Sequence, residues 1–204
     1  MDHRIVTHPT VAAILPAELV RLKTFLRIEN DEEDSDLEEY HLAAAQMFEK
    51  LTGRSVFTTA RRYAVPYGVT DDKCVEGIHL ELPYPNLIAV SAVKWFDEDD
   101  VEQTLDSQYY VTQIVGDIGR VTIYDEGLTQ ITSISSAIAN QVAIYYTSGY
   151  GPDTDDVPIG VKQWMREYTK WSYGVKNNAT LSRMGIPDYL VNLAAPWQLG
   201  KVWR

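Results

Sequence analysis

The run Asp31-Glu32-Glu33-Asp34-Ser35-Asp36-Leu37-Glu38-Glu39 gathers more potential ligands than any other short stretch of the chain. Carboxylates at this density could hold a divalent cation or share protons in acid–base catalysis. Their spacing argues against both. A calcium loop alternates its ligands, with Gly at the sixth position and Glu at the twelfth. Here the acids are consecutive, no Gly interrupts them, and the twelfth residue counted from Asp31 is Leu42. Ser35-x-x-Glu38 instead has the form of a capping box, in which Ser accepts from a backbone N–H three residues on and Glu reaches back. Asp36, Glu38 and Glu39 then fall in a first turn that favours anions. Leu37, His41, Ala44, Ala45, Phe48 and Leu51 follow at helical spacing, and Gly53 suits a left-handed stop. The stretch is expected to be a helix with structural caps at Ser35, Glu38 and Gly53 and a solvated acidic lead-in.

The other chemical candidates are thinner. His3, His8, His41 and His79 are scattered, and Cys74 is the only thiol, so neither a zinc helix nor a thiolate cluster is spelled out. Gly116-Asp117-Ile118-Gly119 is a turn and not a dinucleotide fingerprint. Ser91-Ala92-Val93-Lys94 matches Ser-x-x-Lys within a strand pattern, where the two side chains face opposite sides. No Gly-x-Ser-x-Gly elbow occurs. The expectation is no catalytic residue, no metal and no cofactor. The five Trp and thirteen Tyr leave room for a sugar-binding β-rich module, unless Tyr63, Trp95, Tyr146 and Trp164 are core.

These residues must be carried by a chain of 204 residues with a net charge of −11. No apolar run approaches the ~20 residues that span a bilayer. The start, MDHRIVTHPTVAAILP, is too short and polar for a secretory signal, and the single cysteine suits a reducing cytoplasm. So acidic a chain is a poor general binder of nucleic acid, since phosphate contacts need Lys and Arg. The charge is uneven. From Pro158 to Arg204 there are seven basic residues and two acids, a net of +5, which leaves −16 for the rest. An acidic body with a basic arm invites contacts between copies or with a partner, and assembly should then slow as salt rises.

Three parts follow along the chain. Residues 1–54 read as an N-terminal helix pair, with Leu15 to Ile28 preceding the Ser35–Leu51 helix. Residues 55–150 read as an antiparallel β-rich part, from alternation around Tyr63, Val65 and Tyr67, Leu80 and Leu82, Val93 and Trp95, Val121 to Ile123, and Val142 to Tyr146. Turn signals separate them, Asp125-Glu126-Gly127 among them, and Thr129 to Gln141 reads as a hairpin arm or loop. Residues 151–204 read as C-terminal helices and an extended tail, with Val161, Trp164, Met165, Tyr168 and Trp171 on one apolar face and a short helix from Pro187 to Leu193. The fold class is α+β, as one compact domain plus tail.

Several short motifs recur in a known order. They are Leu22-Lys23-x-x-Leu26-Arg27-Ile28, an acidic link, Leu37 through Ala43-Ala44-Ala45, and Thr52-Gly53-Arg54. Leu82-Pro83 with Pro85-x-Leu87, Val90-x-x-Val93, an Asp97 to Asp100 turn and Tyr109-Tyr110-Val111 come next. Tyr145-Tyr146-Thr147-Ser148-Gly149-Tyr150-Gly151, Val157-Pro158 and Trp171-Ser172-Tyr173 close the series. This order resembles the head–tail connector, or adaptor, proteins of long-tailed bacteriophages, from about Val20 to Arg204. The sequence departs from the family at Gly174-Val175-Lys176, where Asn-Arg is common, and in a longer Thr129–Gln141 stretch.

The resemblance implies a virion structural protein without enzymatic activity, made in the host cytoplasm and located in the neck. It implies a homo-oligomeric ring, usually of twelve copies, between the portal protein and the next neck protein, with DNA passing through the lumen and no membrane. A stopper or tail-end component is the alternative within phage necks. Trp197, Leu199, Lys201, Val202, Trp203 and Arg204 either fold back on their own domain or anchor in a partner. The anchor is favoured because Trp and Arg dominate interface energy, and because the family's C-terminal region often grips the portal.

Overall fold

Alternating apolar residues build the strands and a 3.6-residue apolar period builds the helices. The computed structural model describes residues 2–7, 16–66, 72–74, 77–131, 141–152, 154–176 and 185–199. The strands are β1 (Asp2–Thr7), β2 (Thr59–Pro66), β3 (Asp72–Cys74), β4 (Gly77–Glu81), β5 (Leu87–Phe96), β6 (Glu102–Thr104), β7 (Tyr110–Val115), β8 (Ile118–Tyr124) and β9 (Gln141–Ser148). The helices are α1 (Pro16–Leu26), α2 (Asp34–Thr52), α3 (Asp125–Gln130), α4 (Ile159–Lys176) and α5 (Asp188–Ala194). The class is α+β, as expected. The three consecutive parts, however, regroup into two units: residues 1–8 with 59–149, and residues 9–58 with 150–204.

The first unit is two antiparallel sheets, ordered β1-β2-β9-β5-β6 and β3-β4-β8-β7. Tyr63, Val65, Val93, Trp95, Val142, Ile144 and Tyr146 from the first sheet share one core with Leu80, Val121 and Ile123 from the second. Period-2 alternation is what puts these residues inward together. Tyr63, Trp95 and Tyr146 are therefore core, and Tyr146 donates its phenol O–H to the Pro83 carbonyl at 2.6 Å. Along β5 the register with β9 skips Ile88 and Ser91, two bulges that bend the strand. Asp125-Glu126-Gly127, expected as a turn, opens α3. Gly127 is buried, and a Cβ there would stand 2.8 Å from Tyr109 atoms, so close packing and not turn geometry explains this glycine. Of the expected 129–141 arm, Thr129 and Gln130 belong to α3, and residues 132–140 lie outside the described residues.

The second unit is helical. Ala44, Ala45 and Phe48 of α2 face Val161, Trp164, Met165 and Tyr168 of α4, with Leu190 and Ala194 of α5 closing the core. Small alanines on α2 leave room for the aromatics of α4. Trp164 meets Phe48 edge-on at 5.2 Å between centroids and stacks on Tyr168 at 5.2 Å. Its indole N–H donates to the Leu190 carbonyl at 2.7 Å, which satisfies the one polar group it buries. Gly53 ends α2 with φ at 74° and its N–H on the Glu49 carbonyl at 2.8 Å. Only the left-handed backbone that glycine tolerates makes this stop.

Candidate assembly interface

The acidic run is tied down inside the helical unit. Helix α2 starts at Asp34, one residue before the expected cap, and Glu33 precedes it without a side-chain capping bond. Ser35 thus lies inside the first turn, and Ser35 and Glu38 do not form a capping box. The cause is distant in sequence. Lys23 of α1 reaches both Asp31 and Asp34, the latter at 2.8 Å, and so fixes where the turn closes. Hydrogen bonds to Asp31 and Asp34 raise the Lys23 pKa above its usual value. Tyr173 of α4 donates to the Glu33 carboxylate at 2.5 Å. Among the described residues no three His, Cys, Asp or Glu side chains stand together as a metal-ion cage.

Between α1, α2 and α4 lies a buried polar cluster that sequence reading missed. Glu18 is 1% exposed and takes a bidentate pair from Arg166, at 2.7 and 2.9 Å. His41 is fully buried beside it. Its Nδ1 lies 3.4 Å from the Thr169 hydroxyl, which itself donates to the Met165 carbonyl at 2.8 Å. The Thr169 proton is therefore spent, so the Nδ1–H donates to that oxygen. The other ring nitrogen has no hydrogen-bond partner among the described residues. Burial lowers the His41 pKa from 6.5 to about 4, Glu18 opposes the shift and Arg166 adds to it. This histidine is a neutral core residue. A charged residue on the apolar face of a short helix, such as Glu18, is the only sign of the cluster in the sequence.

Three of the seven cations of the basic arm are engaged within their own unit. Lys162 pairs with Asp155 at 3.6 Å, Arg166 pairs with Glu18, and the Lys170 ammonium stands 5.2 Å from the Phe25 ring centroid. The side chains of Lys176 and Arg183 are outside the described residues.

The tail starts by folding back. Trp197, in a one-turn 3-10 helix, packs edge-on to Phe48 at 6.5 Å between centroids and lies over Gly160, where a Cβ would stand 3.1 Å from its ring. Arg54 donates to the Trp197 carbonyl at 2.7 Å, and the Leu199 N–H donates to the Thr52 carbonyl at 3.1 Å. Leu199 also covers Gly53. Folding back, the alternative to an anchor, is what Trp197 and Leu199 do. Lys201, Val202, Trp203 and Arg204 lie outside the described residues.

Elsewhere, pairs with chemical spacing are engaged in structure. Ser91 donates to the Tyr145 carbonyl at 3.0 Å and Lys94 pairs with Glu102 at 2.6 Å. His79 contacts the Thr122 hydroxyl at 2.7 Å. His3 lies in β1, and His8 is outside the described residues. The geometry offers surfaces for association: exposed Val20 on α1, Ile159 at the start of α4, and Ile114 and Val115 on β7. The uncharged run Tyr110-Val111-Thr112-Gln113-Ile114-Val115 was the available signal for the last of these.

Comparison with known proteins gives these surfaces a context. No curated protein matches the chain significantly. Three solved structures match all of it and 98% of their own chains. One is from the neck of an empty gene transfer agent (GTA) particle computed with C6 symmetry, at 19% identity and a TM-score of 0.74. Another is from the virion of a native GTA particle, at 19% identity and a TM-score of 0.72. A third is from the neck of a native GTA particle computed with C12 symmetry, at 18% identity and a TM-score of 0.70. At such identities they establish the fold. Residues 16–113 match the family model of the phage gp6-like head-tail connector protein.

Proposed function

We propose that this chain is a structural protein of a virion neck, closing with its own copies into a ring between the portal and the next neck protein. Twelve copies surround a lumen through which DNA passes, and the protein turns over no substrate. The observation that carries this reading is the connector family match over residues 16–113, joined to full-length likeness to chains of GTA necks computed with C6 and C12 symmetry. The chemistry of the chain is consistent with it. Head-to-tail contacts close into rings when their rotation permits. A net charge of −11 suits a wall past which DNA must slide, because phosphate finds few cations to hold it. No helix among the described residues is long and apolar enough to cross a membrane. The portal anchor is assigned to Lys201, Val202, Trp203 and Arg204, with the preceding segment held to the helical unit by Trp197 and Leu199.

The test is to mix the purified protein with portal-containing heads and follow it by light scattering and negative-stain imaging. A ring of copies beneath the portal is expected. Protein that stays monomeric and never joins such heads overturns the proposal, as does sustained turnover of a glycan, peptidoglycan or ester substrate that is lost on changing one carboxylate.

A further inference from the structure

Strand β7 is an edge of the four-stranded sheet and lacks the devices by which proteins usually protect an edge. Such edges carry charge, proline or a bulge, because an open row of N–H and C=O groups recruits another strand. From Tyr110 to Val115 there is no charged residue and no proline. All six residues pair with β8 in unbroken register, so no bulge twists the edge away.

From Thr112 to Val115 its side chains are also exposed. Tyr110, Thr112 and Ile114 stand opposite Ile123, Val121 and Gly119. Ile123 and Val121 are buried in the core, and a Cβ on Gly119 would meet Leu87 at 2.7 Å, so this is the inward face of the sheet. Cross-strand partners share a face, which places Ile114 on the inward face as well. Yet Ile114 is 61% exposed and its partner Gly119 has no side chain to cover it. Val115 is 49% exposed beside it. The inner face of the sheet thus extends past the core available within one copy.

We propose that β7 of one copy is extended by β1 of the next, so that a continuous sheet bridges neighbours in the ring and buries Ile114. This rests on the ring reading above. A closed ring needs two different surfaces on each copy. Among the described residues the other sheet edges are β1, β3 and β6. Strands β3 and β6 have three residues each, whereas β1 has six, the same as β7. Main-chain hydrogen bonds would give such a contact its strength, and the Ile114 and Val115 side chains its fit.

Hydrogen exchange of the unaltered protein, compared between monomer and portal-bound ring, tests this directly. Amides within 110–115 and within 2–7 are expected to slow at least tenfold on assembly. Ile114→Lys is expected to keep the monomer's melting temperature and to lower ring formation at least tenfold. Unchanged exchange in 110–115, or an Ile114→Lys protein that assembles normally, overturns the proposal. Slowing in 110–115 without slowing in 2–7 overturns β1 as the partner strand. Should Ile114→Lys fail to fold, the exchange experiment decides alone. If the unaltered protein forms no ring on portal, the ring reading itself has failed and this contact falls with it. Rings that form with an unprotected β7 refute only this contact.

Discussion

At the scale of single residues, the buried polar cluster makes the sharpest predictions. His41 binds its proton near pH 4 in the folded protein and near 6.5 when unfolded. The unfolded chain therefore takes up the proton first, and stability falls as pH drops from about 6.5 towards 4. A difference of that size is worth about 3 kcal/mol once both states are protonated. Urea midpoints of the native protein and His41→Gln at pH 7, 5.5 and 4.5 should diverge, the variant losing this share of the slope. Parallel curves would show that His41 does not titrate in this way. Glu18→Ala strands Arg166 beside a buried pocket and should cost about 3 kcal/mol, the usual penalty for breaking a buried pair. Ser35→Ala should cost under about 0.5 kcal/mol, because Ser35 lies within the first turn and caps nothing. A loss near 2 kcal/mol in denaturant melts would restore it as a cap. The capping-box pattern misled because it is local, while the contact that places the turn, Lys23 to Asp34, comes from another helix.

At the scale of elements, strongly periodic segments were legible and contingent ones were not. Helices α1, α2 and α4 and strands β2, β5, β8 and β9 follow from apolar period alone, since Leu37, Phe48, Trp164, Val93 and Ile144 each recur at the spacing of a buried face. Strand β1 was invisible, because Asp-His-Arg-Ile-Val-Thr does not alternate and gains its structure from pairing with β2. Helix α3 was misread because Asp-Glu-Gly is turn chemistry in isolation, whereas Gly127 is needed for close packing on Tyr109. The tail shows the same division. Its aromatics signalled burial without saying against what. Trp197 is partly buried on Phe48 and Gly160, so Trp197→Ala should destabilise by about 2 kcal/mol, below the 3–5 kcal/mol of a fully buried aromatic. Deleting Gln198 to Arg204 removes the Leu199 N–H bond to Thr52 and the cover over Gly53, and should cost about 1 kcal/mol while abolishing attachment to portal-containing heads. Thermal melts read the first effect and sedimentation with heads reads the second. Truncated protein that still joins heads would move the portal contact elsewhere.

At the scale of the whole molecule, the count of charges and their pairing argue for opposite responses of assembly to salt. A basic arm of +5 against a body of −16 suggested attraction between copies, and hence assembly that slows as salt rises. Three of the seven arm cations are already engaged within their own copy: Arg166 is held by Glu18, Lys162 by Asp155, and Lys170 lies against Phe25. Copies that each carry a net charge of −11 are like-charged as wholes. Like-charged surfaces repel over a Debye length of about 10 Å at 0.1 M salt, and added salt shortens that reach. Contacts through apolar side chains and backbone, such as those of Ile114 and the β7 edge, lose little on screening and gain slightly from it. With portal-containing heads in excess, the rate at which rings appear should therefore rise between about 0.05 and 0.5 M sodium chloride, while the finished ring stays intact across that range. Stopped-flow light scattering at graded salt measures the rate, and imaging of the end points confirms that the product is the same. A rate that falls steeply with salt would mean that the charges of Lys176, Arg183, Lys201 and Arg204 steer assembly. The electrostatic arm would then lie in those four residues rather than in Lys162, Arg166 and Lys170.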